Sequence, residues 1–101
     1  MQTVNLPTDL LRTFVTVSEV QNFTRAADLL GRSQPAVSLQ IKRLENLVGY
    51  KLIHQKGRSM HVSEKGEALA MHARQILHIN DLALGLFDRY DNTGQLRIGL
   101  P

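Results

Sequence analysis

Phe23-Thr24-Arg25-Ala26-Ala27-Asp28-Leu29-Leu30-Gly31-Arg32-Ser33-Gln34-Pro35-Ala36-Val37-Ser38 decides how this chain folds. The stretch reads as two short helices joined by a tight turn. Thr24 can cap the first through its hydroxyl. Ala26 and Ala27 are small enough to let another helix cross closely, Leu29 and Leu30 supply an apolar side, and Gly31 fits a left-handed C-terminal position. Ser33 is a good N-cap for the next helix, and Pro35 falls in its first turn, where a fixed φ helps. Ala27, Gly31 and Val37 occupy the small, turn and core positions of a helix-turn-helix. That motif offers its second helix to the DNA major groove. An ordinary helical hairpin is the alternative.

The helix opening at Ser33 should run to about Val48, with Gly49 as its stop. At 100° per residue, Val37, Ile41, Leu44 and Val48 form one narrow stripe, which must be core. Pro35, Ser38, Leu39, Lys42, Arg43 and Asn46 fall on the other side, polar or basic except for Leu39. The free N–H groups at such a helix start can also hold a phosphate.

Upstream, a helix is expected from about Thr8 to Val20, with Pro7 just before it. Leu10, Phe14 and Val17 recur at helical spacing, with Leu11, Val15 and Ser18 beside them, and read as core. Val20-Gln21-Asn22-Phe23 breaks that pattern. Downstream, two short β-prone runs within residues 51–62 flank Lys56-Gly57-Arg58, where Gly57 is available for positive φ. This predicts a β-hairpin with a basic tip, suited as a wing to the DNA backbone or minor groove.

Ser63 then caps a long helix expected over about Glu64 to Tyr90. Leu69, Ala73, Ile76, Leu77, Ala83, Leu84 and Phe87 keep an apolar face along it, too long for the rest of the chain to cover. A partner helix, most simply from a second copy, is expected there. Gly66 and Gly85 should each weaken this helix by roughly 1 kcal/mol relative to Ala. Asp91-Asn92-Thr93-Gly94 reads as a turn. Gln95-Leu96-Arg97-Ile98-Gly99-Leu100-Pro101 reads as a strand without a mate, as in a fragment of something longer. No internal repeat or low-complexity segment is present.

The 101 residues suit one small domain with an appended element, and 43% hydrophobic content is enough for a core. The absence of cysteine excludes a disulfide framework and a thiolate metal site. Met1 is not followed by a basic stretch and a long apolar run, so no signal peptide is expected, and no window approaches the roughly 20 apolar residues of a membrane span. The expected compartment is the cytoplasm. The net charge of +3 is unevenly placed. Arg32, Lys42, Arg43, Lys51, Lys56, Arg58 and Lys65 face only Glu45 and Glu64 across residues 32–65, while the flanking thirds are each slightly acidic. Such a stripe suits a polyanion, because each neutralised phosphate releases counterions. A solvated face without a partner explains charge alone equally well.

Taken together, several segments resemble the N-terminal part of LysR-type transcriptional regulators over essentially the whole chain. They are Leu10-Leu11-Arg12-Thr13-Phe14, Phe23-Thr24-Arg25-Ala26-Ala27, Ser33-Gln34-Pro35-Ala36-Val37-Ser38, Ile41-Lys42-Arg43-Leu44-Glu45 with Val48-Gly49, Leu52-Ile53, and Val62-Ser63-Glu64-Lys65-Gly66. Gln95-Leu96-Arg97-Ile98-Gly99 resembles the first strand of that family's effector-binding domain. The resemblance implies a mostly α fold, a winged helix-turn-helix over residues 1–63 with the helix-turn-helix at about 23–42. A dimerising linker helix over 64–91 follows, with a hinge and the start of a missing domain at 92–101. It implies a bacterial, DNA-associated regulator acting as a homodimer on a palindromic operator, with tetramers in complete proteins and a small-molecule effector bound by the missing domain. No cofactor is implied. The positions matching DNA contacts are Thr24, Arg25, Ser33, Gln34, Pro35, Ser38 and Lys42, with Arg58 at the wing. Leu39 departs from the family, where many relatives carry a polar or basic residue. It either touches a thymine methyl or fills a gap against a neighbouring element.

For sequence-specific DNA binding, Gln34, Pro35, Ser38 and Leu39 would meet base edges. Thr24, Ser33, Lys42, Arg43, Lys56 and Arg58 would mostly meet phosphates, which position but do not specify. The competing reading is a helical dimerisation module with a merely solvated basic face; it leaves the Ser33-Gln34-Pro35 opening and the basic wing unexplained. An enzyme or metal protein would have to rest on His54, His61, His72 and His78. No nucleophile, base and orienter trio and no H-E-x-x-H pattern accompanies them. His54 and His61 read as wing surface, with a phosphate contact by His61 as the lesser alternative, and His72 and His78 as partly buried on the long helix. RNA binding would want exposed aromatics for stacking, and most of Phe14, Phe23, Tyr50, Phe87 and Tyr90 sit at core spacing.

Overall fold

The computed structural model describes residues 3–57 and 59–88. Arg58, the last residues of the long helix up to Tyr90, and the expected turn and strand at 91–101 lie outside them. Four helices and one hairpin follow in the order α1 (Thr8–Val20), α2 (Phe23–Leu30), α3 (Gln34–Val48), β1 (Ile53–Lys56), β2 (Ser59–Val62) and α4 (Glu64–Asp88).

The punctuation of the chain sets these boundaries. Pro7 precedes α1 in an extended conformation. The α1 helix ends on Gln21 in the left-handed region (φ 50°), where the sequence offers no glycine to mark the stop. The cap of α2 is Asn22 and not Thr24: the Asn22 side chain accepts from the Arg25 N–H at 2.8 Å, so Phe23 opens the helix and Thr24 lies inside it. Gly31 (φ 67°) closes α2 and Gly49 (φ 81°) closes α3, both in backbone that a side chain would strain.

The α1 helix packs against α2, α3 and α4, so the core gathers around it. Leu11, Phe14 and Val17 from α1 meet Phe23, Ala26 and Ala27 from α2, Val37, Ile41 and Leu44 from α3, and Ala70, Ala73 and Leu77 from α4. Val48 is only half buried at the margin of the expected stripe. Leu29 does not supply α2's apolar side: it is 64% exposed, and Leu30 alone leans on the core. The hairpin joins this core through Leu52, Ile53, Met60 and Val62. Its strands pair antiparallel with Ile53 opposite Val62 and His54 opposite His61.

The Ser63 hydroxyl accepts from the Gly66 N–H (2.9 Å) and donates to the Lys51 carbonyl (2.7 Å), capping α4 and tying it to the entry of the wing. Gly66 then passes so close to the wing that a Cβ there would lie 2.5 Å from the Leu52 carbonyl oxygen. Two exposed ion pairs, Arg12 with Asp81 and Arg74 with Glu19, join α1 to α4 at 3.2 Å each. The Asn80 amide and then the Arg12 guanidinium hold the Asp81 carboxyl below the usual carboxylate range.

Part of the apolar face expected along α4 is turned inward. Ala73 and Leu77 are buried in the chain's own core and Leu69 leans against it, which removes them from a strip open to a partner. Ile76, Ala83, Leu84 and Phe87 of the expected face are exposed, and Ile79, Leu82 and Leu86 are exposed with them. His72 and His78 are also exposed, not partly buried. Among the described residues no helix is long and apolar enough to cross a membrane.

Candidate nucleic-acid interface

The rotation of α3 is fixed from behind. Val37, Ile41 and Leu44 are buried, and beside them Gln40 is buried too, its Oε1 accepting from the Thr13 hydroxyl of α1 at 2.6 Å. The hydrogen-bonded pair locks one flank while the aliphatic stripe locks the centre. Sequence spacing did not single out this pair. Thr13 falls among apolar α1 residues, and Gln40 lies off the expected stripe.

With that side held, Gln34, Pro35, Leu39, Lys42, Arg43 and Asn46 are exposed, and Ser38 is half buried toward the wing. Leu39 is 51% exposed and so fills no gap in this chain. Ser33 caps α3, its Oγ accepting from the Ala36 N–H at 3.2 Å. Thr24 donates weakly to Gln34 Oε1 at 3.4 Å, which brings the first turns of α2 and α3 together. Arg25 is exposed one residue further along α2.

Two clefts separate α3 from the wing. One, of about 310 Å³, lies among Asn22, Thr24, Gln34, Gln55, Gly57 and Met60. The other, of about 250 Å³, includes Ser38, Lys42, Glu45, Lys51, His54 and Gln55. Thr24, Gln34, Ser38, Lys42 and the hairpin therefore share one side of the molecule. Arg43 and Asn46 lie at its far edge, lining a more apolar cleft with Pro7, Asp9, Leu10 and Leu47.

Glu45 sets the angle of the wing. Its Oε2 accepts from the backbone N–H groups of Leu52 (2.9 Å) and Ile53 (3.2 Å), at the start of β1. One of the two acidic side chains in the basic third is thus engaged in structure. The sequence marks Glu45 only as part of a motif; its role appears once the chain turns back at Gly49.

Lys56 is exposed at the end of β1, and Gly57 turns the hairpin with φ 62°. Together with Arg25, Arg32, Lys42, Arg43 and Lys51, all exposed, Lys56 gives this part of the molecule its positive charge. Tyr50 and Phe87 are exposed, and the Lys65 ammonium stands 4.7 Å from the Tyr50 ring centre. Among the described residues no three of His, Asp and Glu gather as a metal-binding group.

Residues 8–67 match the family described as bacterial regulatory helix-turn-helix protein, lysR family. The chain is 41% identical over 97 residues to the HTH-type transcriptional regulator DgdR of Burkholderia cepacia, covering 96% of the chain and 33% of that protein. It is 43% identical over 96 residues to the HTH-type transcriptional regulator PecT of Dickeya dadantii, covering 95% and 30%. It therefore spans about a third of the length of these curated relatives. Among solved structures, the BenM DNA-binding domain in complex with catB site 1 DNA superposes with a TM-score of 0.78 at 33% identity, covering 83% of this chain and 93% of that one. Vibrio fischeri DarR in complex with DNA gives a TM-score of 0.79 at 26% identity, covering 90% and 31%.

Proposed function

The chain belongs to the lysR family of bacterial regulatory helix-turn-helix proteins, and from that premise we propose that it is the sequence-specific DNA-binding part of a transcriptional regulator. The α3 helix enters the major groove, and the wing lies on the backbone or minor groove. Gln34, Pro35, Ser38 and Leu39 meet base edges. Thr24, Arg25, Ser33, Lys42, Arg43, Lys56 and Arg58 position the protein on phosphates. One observation carries this reading: α3 is clamped from behind, leaving an exposed polar and basic side beside a basic hairpin.

A second copy pairs through α4, and the exposed Ile76, Ile79, Leu82, Ala83, Leu84, Leu86 and Phe87 support that pairing. On this reading residues 1–63 form the DNA-binding domain, 64–91 the linker helix, and 92–101 the hinge into an effector-binding domain that completes the protein. The complete regulator works on chromosomal DNA in the cytoplasm and takes its small-molecule effector in that further domain. Tetramers belong to the complete protein.

Selection of bound duplexes from a random pool tests the reading, because it reports binding, symmetry and spacing together. A palindromic site is expected. No binding to any duplex at low salt would sink it, in favour of a helical dimerisation module with a solvated basic face.

A further inference from the structure

His54 and His61 stand directly opposite one another on the antiparallel ladder of the wing. Both are exposed, while their neighbours Ile53, Met60 and Val62 are buried. The two rings therefore share the outer face of the hairpin, with centroids 5.1 Å apart and planes 32° from parallel. Cross-strand partners have Cβ atoms about 5 Å apart, so side chains of this length converge without any change of backbone.

That separation has chemical meaning. A zinc–nitrogen bond of about 2.0–2.1 Å, added to about 1.1 Å from a ring nitrogen to the ring centre, puts each centroid about 3.2 Å from the metal. Two such rings at a tetrahedral angle then have centroids about 5.2 Å apart, whereas a right angle would bring them to about 4.5 Å. The observed 5.1 Å is long enough for the tetrahedral arrangement and also lies in the range of ordinary ring packing, so a turn of each ring about its own bonds aims a nitrogen of each at one ion. Lys56 lies two residues along β1 on the same face, so the local charge disfavours hard cations held by charge alone. Imidazole selects zinc, nickel or copper through bonding instead.

We propose that His54 and His61 form a two-histidine binding site for zinc on the outer face of the wing, strapping β1 to β2, with water in the remaining positions. The proposal is independent of the DNA-binding reading. His72 and His78 do not make an equivalent site, since six residues along a helix place them on different sides.

Zinc titrated into the 101-residue chain without DNA, followed by imidazole proton NMR and calorimetry, tests the site. The ring signals of His54 and His61 should move together while those of His72 and His78 stay. Affinity should fall roughly tenfold or more in both His54→Ala and His61→Ala, because a second ligand held nearby multiplies the first. Magnesium should leave the rings unmoved. Rings that ignore zinc, magnesium shifts equal to those of zinc, or unchanged zinc affinity in either variant would each overturn the proposal. Both residues are exposed, so circular dichroism of the variants should match the parent, and the ring signals of the parent decide the question without any variant.

Discussion

Leu39 sits 51% exposed among Pro35, Ser38, Lys42 and Asn46. An aliphatic side chain there gains nothing from water, but on DNA it can cover the thymine methyl in the major groove. Burying one methyl is worth about 0.8 kcal/mol, or roughly fourfold in affinity. Replacing the facing thymine by uracil in the selected site should cost about that much. The same base change should cost nothing in Leu39→Ala; equal losses in parent and variant would show that Leu39 reads no methyl. Gly66 makes a separate point. As a helical glycine it reads as a weak spot in α4, yet the Leu52 carbonyl that an added methyl would strike also accepts from the Ser63 N–H at 2.8 Å and cannot easily yield. Gly66→Ala should therefore destabilise by about 1–3 kcal/mol. Gly85→Ala, with open space around it, should gain up to about 1 kcal/mol from helix propensity. Chemical denaturation of the two variants checks both signs.

At the scale of elements, the sequence was most legible where a residue type has one local meaning. Pro7, Ser33, Gly31 and Gly49 bound their helices as expected, because a fixed φ, a capping hydroxyl and a left-handed position act without tertiary help. Asn22 and Thr24 are both capping types two residues apart, and pattern alone chose the wrong one. The α4 helix was legible in extent but only in part in orientation. Apolar residues occupy most of its circumference, so periodicity could not say which side α1 covers. The fold divides them: Leu77 lies against α1, while Leu82 is 56% exposed. Leu77→Glu should then unfold the domain, since it buries an unpaired charge. Leu82→Glu should leave thermal stability of the monomer within about 0.5 kcal/mol and abolish the dimer by placing like charges in the seam. Sedimentation alongside melting separates these outcomes; a dimer that survives Leu82→Glu moves the interface elsewhere.

At the scale of the whole molecule, the candidate site is a relation between parts that the sequence shows separately. Glu45 reaching from α3 to the N–H groups of Leu52 and Ile53 brings the wing beside the exposed side of α3, and α4 follows with the exposed apolar side proposed as the seam. If two copies bind one operator through that seam, their phosphate contacts add. The slope of log K against log salt scales with the number of phosphates neutralised. The Leu82→Glu monomer on a half-site should thus show about half the slope of the parent dimer on the full palindrome. Lys42→Ala should lower the slope by about one per protomer, about two for the dimer. Gln34→Ala should leave the slope in place and narrow the gap between the selected site and random DNA, because a base contact specifies where a phosphate contact only positions. Fluorescence anisotropy at several salt concentrations reads all three effects. A monomer that kept the full slope would show that the phosphate contacts do not add across two copies, and a slope unchanged in Lys42→Ala would remove Lys42 from the phosphate contacts.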